Sequence, residues 1–116
     1  MVKLESLKKS YQFKKTLKEK KVHSDFFSIF ATKNFYKPKY KSNLLISFVM
    51  KKKIGNAVKR NKIRRKLKAI VQKLLKKRGA ISKDYTYIVF GKSNAYTQKQ
   101  SVLMPLMEKS LSLIHI

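Results

Sequence analysis

No acidic residue stands between Asp25 and Asp84, and inside that span lies KKKIGNAVKRNKIRRKLK, residues 51–68, where ten of eighteen residues are Lys or Arg. The stretch opens an amphipathic helix predicted over 57–78, with Asn56 as N-cap and Gly79 as C-terminal stop. At about 100° per residue, Ile63, Leu67, Ile70, Val71 and Leu74 fall on one arc. Such a helix cannot be buried all round and cannot stand alone. Its apolar arc needs a sheet to pack on, and its cations need water or an anion. A solvated helix usually balances Lys and Arg with Glu at i,i+4. The missing acids therefore point to an external anion.

Helical geometry says where that anion would sit. With Leu67 at zero, Arg60 falls near 20°, Arg64 near 60°, Lys68 near 100° and Asn61 near 120°. Arg60 and Arg64 thus continue the side of the apolar arc, one to two turns nearer the N-terminus. Lys52, Lys53 and the Gly55-Asn56 turn lie just before the helix. Gly55 permits close backbone approach, and the unpaired N–H groups of a helix N-terminus favour phosphate. Arg supplies bidentate donors there, and Lys supplies point charge.

Composition agrees with this reading. The 116 residues suit a single domain over 1–116, and 43% hydrophobic content provides material for a core. Thirty Lys and Arg against five acids give a formal charge of +25. Self-repulsion on that scale predicts a polyanionic partner, nucleic acid first. No run reaches the 18 or so apolar residues of a membrane span. A membrane-surface protein would expose a large apolar helix face, whereas this helix needs its apolar face for the sheet. The N-terminal MVKLESLKKS lacks an apolar signal core, so the expected compartment is the cytoplasm. Cysteine is absent, which excludes disulfides, thiolate metal sites and Cys nucleophiles.

Along the chain, residues 6–20 read as a helix with two stripes, Leu4, Leu7 and Tyr11 on one and Ser10, Phe13 and Leu17 on the other. One stripe should meet the core and the other line a groove. DFFSIFA (25–31) reads as a strand with Phe26, Ser28 and Phe30 on one face, and Phe27, Ile29 and Ala31 on the other. A basic aromatic loop follows, KNFYKPKYK (33–41), with Pro38 blocking regular structure. LLISFVM (44–50) and YTYIVFG (85–91) are further strands, and a short extra strand is expected near Lys21–His23. Thr97 and Gln100 have capping-box spacing for a last helix that Pro105 should kink or stop. The expected class is α+β, with helices against a small central sheet.

At the basic helix the sequence resembles the bacterial ribonuclease P protein component. Gly55-Asn56-Ala57-Val58 and Arg60-Asn61 stand in register with that family's signature, followed by Arg64, Arg65, Leu67 and Lys68. Lys51 stands where Ser is usual, and Lys62 replaces the second Arg of an Arg-Asn-Arg core. In the preceding strand Ser47 replaces a usual Gly, and Leu45 a common Arg. LKKSYQFKKTLK looks like the family's first helix, with Phe13 and Leu17 at its two aromatic positions. The resemblance implies an α-β-β-β-α-β-α order with a left-handed βαβ crossover around the basic helix. It also implies a protein that helps a catalytic RNA remove the 5′ leader from precursor tRNA, using Mg²⁺ held mainly by RNA. Carried over, the RNA face is Lys52, Lys53, Asn56, Arg60, Asn61, Lys62, Arg64, Arg65 and Lys68. The leader cleft would include Phe13, Leu17 and Phe30. The expected partners are the catalytic RNA and precursor tRNA, with no membrane and no small-molecule substrate.

The acids speak against a protein-borne active site. A two-metal nuclease needs clustered carboxylates, but Glu5, Glu19, Asp25, Asp84 and Glu108 are far apart in sequence. An acid–base nuclease needs paired imidazoles, and only His23 and His115 exist. The alternative function is a ribosomal-type protein that binds structured RNA without a catalytic role.

Overall fold

The computed structural model describes residues 3–77 and 81–115. Strands β1 (Leu4–Glu5), β2 (Lys20–His23), β3 (Phe27–Lys33), β4 (Leu44–Val49) and β5 (Tyr85–Gly91) form one sheet in the order β1-β4-β5-β3-β2. Helices α1 (Ser10–Lys18), α2 (Ala57–Leu74) and α3 (Gln100–Ile114) complete the α+β architecture, with 3-10 turns at Lys52–Ile54 and Ser93–Tyr96. β4 lies parallel to both β1 and β5, while β3 runs antiparallel to β5 and β2. Helix α2 therefore joins two adjacent parallel strands.

Period-two alternation splits the sheet into two unlike faces. Phe27, Ile29 and Ala31 stand opposite Gly91, Val89 and Tyr87 in register, and Ile46 stands opposite Tyr87. These side chains merge with the α2 arc and with Leu103, Met107, Leu111 and Ile114 of α3 into the main core. All five arc residues of α2 are buried, as the periodicity predicts. The opposite face carries Ser28, Phe30 and Thr32 against Phe90, Ile88 and Thr86, and α1 covers part of it. Gly91 allows the two layers to approach. A Cβ there would lie 2.8 Å from Ile63 Cγ2 and closer still to Met50 Sδ.

Several boundaries differ from expectation for physical reasons. The first helix begins at Ser10, not residue 6, because Leu4 and Glu5 pair with Leu44 and Leu45. The Leu7 amide then donates to Ser47 Oγ at 2.8 Å, holding the chain off the helix. The stripe read through Leu4, Leu7 and Tyr11 is thus broken, and Tyr11 is 54% exposed. The buried positions of α1 are polar instead, Gln12 and Thr16. Gln12 Oε1 accepts from the Lys8 and Lys9 amides, satisfying orphan donors of the helix start, and Thr16 Oγ1 donates to the Gln12 carbonyl.

The strand read at 25–31 starts at Phe27 and runs to Lys33, since Ser24 ties residues 24–27 into a turn. Helix α2 ends at Leu74, and the Gly79 stop lies outside the described residues. Thr97 closes the preceding 3-10 turn, so Lys99, not Thr97, precedes α3 as N-cap. Pro105 does not stop α3. It stands exposed, and the bond it forgoes is to the carbonyl of Ser101, itself on the water side.

Candidate nucleic-acid interface

The N-terminus of α2 is assembled as its sequence suggests. Asn56 Oδ1 accepts from the Lys59 amide at 2.9 Å, capping the helix. Gly55 sits at φ +153°, and a Cβ there would press on the Lys59 side chain at 2.9 Å, so glycine is required. Along the exposed side, Asn61 Oδ1 accepts from Arg64 Nη1 at 2.7 Å and so fixes that guanidinium. Arg65 Nε leans back on the Asn61 carbonyl at 3.4 Å. Arg60 is half-buried, with an Nε that has no partner. Lys62 lies over the Tyr96 ring at 4.7 Å, and Lys59 shares that ring at 5.4 Å. Lys52, Lys53 and Lys68 are exposed.

Lys66, in the middle of this row, does something different. Its ammonium donates to the carbonyls of Ala95, Tyr96 and Gln98 at 2.9, 2.9 and 2.6 Å. It fastens the 93–98 turn to α2 and has no donor left for a phosphate.

Two hollows open beside α1. A cleft of 710 Å³ is lined by Leu17, His23, Ser28, Phe30, Lys51, Lys53, Ile54 and Phe90, among others. Its floor is a chain of edge-to-face rings, His23 on Phe30 at 5.9 Å and Phe30 on Phe90 at 5.5 Å. Lys51 Nζ stands 5.7 Å over Phe90. His23 Nδ1 bonds Ser28 Oγ at 2.7 Å, which orients the imidazole. A smaller hollow of 240 Å³ holds Phe13 with Phe48, Arg64 and Lys68. Leu17 and Phe30 therefore meet in one cleft, while Phe13 adjoins the cationic side of α2.

Sequence reading missed His23, Lys51 and Phe90. Phe90 shares a strand face with Ile88, but only the antiparallel register, Ser28 opposite Phe90, brings it beside Phe30. That register is not written in either strand alone.

The electrostatics leave these cations available. Among the described residues the one ion pair is Lys77–Glu108 at 3.3 Å. Glu5 is spent on the Lys39 amide and the Asn43 side chain. No group of three His, Asp or Glu comes together among the described residues.

The ribonuclease P family profile matches residues 1–114. The ribonuclease P protein component of Mycoplasma mycoides subsp. mycoides SC is 35% identical over 83 residues, 72% of each chain. That of Mycoplasma capricolum subsp. capricolum is 32% identical over 83 residues, again 72% of each chain. The RNase P protein of Staphylococcus aureus shares the fold with a TM-score of 0.68 at 22% identity, covering 93% of both chains. That of Thermotoga maritima gives 0.67 at 23% identity, covering 95% of this chain and 94% of its own. Fold and surface together define a small, strongly basic α+β RNA-binding protein. The profile and the two curated relatives go further: the chain belongs to the ribonuclease P protein family. It is the protein subunit of a ribonucleoprotein endoribonuclease of tRNA processing, with ribonuclease P RNA as its partner, and the ribosomal-type alternative is not favoured.

Proposed function

We propose that the two sides of this surface divide the work. The N-terminal half of α2, with Lys52, Lys53, Asn56, Arg60, Asn61, Lys62, Arg64, Arg65 and Lys68, docks on phosphates of the catalytic RNA. The cleft holding Leu17 and Phe30 binds the single-stranded 5′ leader of precursor tRNA, and Phe13 sits apart from it in the hollow beside Arg64 and Lys68. The observation that carries this reading is the ring series His23–Phe30–Phe90 beneath Lys51. Rings stack on any base, and ammonium groups follow the backbone, so leaders of varied sequence are accepted. Mg²⁺ belongs on RNA phosphates in this proposal, and the protein's charge lowers the repulsion those phosphates feel. The proposal assigns the chain to the cytoplasm with its RNA; no described helix is long and apolar enough to cross a membrane.

The test is leader removal by protein alone, catalytic RNA alone and both together at low Mg²⁺. Only the combination should cleave efficiently. In the reconstituted complex Phe30→Ala should weaken the preference for leader-bearing over mature tRNA by about 1–3 kcal/mol. Cleavage by the pure protein, or an unchanged leader preference, would overturn the reading.

A further inference from the structure

Helix α1 separates the leader cleft from a second groove. Leu17 points into the cleft, while Lys15, about 200° away on the wheel, points to the other side. There a groove of 390 Å³ is lined by Lys15, Lys20, Lys33 and Glu19 together with Phe35 and Tyr85. Lys15 Nζ lies 5.3 Å over the Phe35 ring, and Phe35 stacks edge-on against Tyr36 at 4.9 Å and Tyr11 at 6.4 Å. Phe35 belongs to the basic aromatic loop 33–41, which is firmly anchored. Asn34 bonds the Lys83 carbonyl and Thr86, and the Glu5 carboxylate accepts from the Lys39 amide at 2.9 Å. Burial, then Glu5, pushes the Tyr36 hydroxyl up to about 12, so it stays neutral. Tyr40 completes the loop at 60% exposure with Lys39 over its ring. A flexible solubilising loop would not hold Phe35 under Lys15 and against Tyr11 and Tyr36 in this way.

The two hollows are joined by the edge strand β2. Lys20 pairs with Ala31, which lines the second groove, and His23 pairs with Ser28, which lines the cleft. Four strand residues span about 10 Å, and Lys20 and Lys21 are exposed along them. A single strand leaving the cleft at His23 can follow this short edge past Lys21 and Lys20 to the groove that holds Phe35.

We propose that the Lys15–Lys33–Phe35 groove is a second single-stranded RNA subsite, taking leader nucleotides beyond those held in the cleft. The proposal rests on the leader-cleft reading for the direction of approach. Its test uses the reconstituted complex and precursor tRNAs with oligoadenylate leaders of about four and about twelve nucleotides. Phe35→Ala should lower affinity for the long-leader substrate by about fivefold or more and leave the short-leader affinity within about twofold. Lys33→Gln, at an exposed position outside the core, should flatten the salt dependence by about one log–log unit for the long leader only. Equal losses on both leaders, no loss on either, or weakened assembly with the catalytic RNA would overturn the second subsite. Phe30→Ala separates the two readings. If it leaves short-leader affinity intact while Phe35→Ala still penalises the long leader, the cleft reading fails and the groove stands.

Discussion

Asn61 spends its side chain on aiming Arg64, and Arg60 keeps an Nε without a partner beside it. Neither guanidinium is engaged with an acid, so removing them should cost recognition and little stability. Arg60→Ala with Arg64→Ala is expected to weaken binding to ribonuclease P RNA and to flatten the salt dependence by about one log–log unit per lost phosphate contact. Unchanged affinity and slope in a filter-binding titration would move the RNA face elsewhere. A second single residue carries a pH dependence. His115 Nε2 meets the Tyr87 hydroxyl at 2.6 Å. Burial, then the nearby Lys20, pushes the imidazole below its ordinary value, and burial pushes the Tyr87 hydroxyl up. The neutral ring is therefore the one that accepts from Tyr87. Below about pH 6.5 the unfolded chain binds a proton at this histidine before the folded one does. The contribution to stability is complete above that pH and is lost as pH falls toward the folded value. Melting temperature should fall more between pH 7 and 5 in the wild type than in His115→Gln; parallel curves would refute the assignment.

Among the elements, the tightest constraint is where β5 meets α2. A methyl group at Gly91 would drive into Met50 and Ile63, so Gly91→Ala should destabilise by about 1–3 kcal/mol in chemical denaturation. A neutral result would mean that Met50 swings clear. The elements that could be read from sequence are those whose own residues decide them. Helix α2 announces itself through Ile63, Leu67, Ile70, Val71 and Leu74, and YTYIVFG forms β5 over the whole of residues 85–91. Strand β1 could not be read, because two residues become a strand only by pairing with Leu44 and Leu45. Helix α1 misled for the same reason: Leu4 and Leu7 keep helical spacing but obey the neighbouring strand and Ser47. The cationic residues of the α2 face were legible from charge and periodicity. The aromatic cleft was legible only in part, since Phe90 and His23 reach Phe30 through sheet register. Lys66 looked like its neighbours until three carbonyls claimed it.

At the scale of the whole molecule, a charge of +25 held in a domain with one ion pair among its described residues must oppose folding. Raising salt from about 0.02 M to 0.5 M shortens the Debye length severalfold and should raise the melting temperature of the free protein. Inorganic polyphosphate should raise it further by binding the folded state. A melting temperature that falls with salt would mean that attraction between charges, not repulsion, dominates the fold. The same charge keeps free copies of the protein apart, but RNA cancels it, and at that moment the sheet's open sides matter. One side ends in the two-residue β1, and the other in the four-residue β2 bearing Lys20 and Lys21. Neither offers the long, bare row of amides and carbonyls that seeds intermolecular β-pairing. The assembled ribonucleoprotein can therefore be nearly neutralised and crowded without its protein subunits stacking edge to edge.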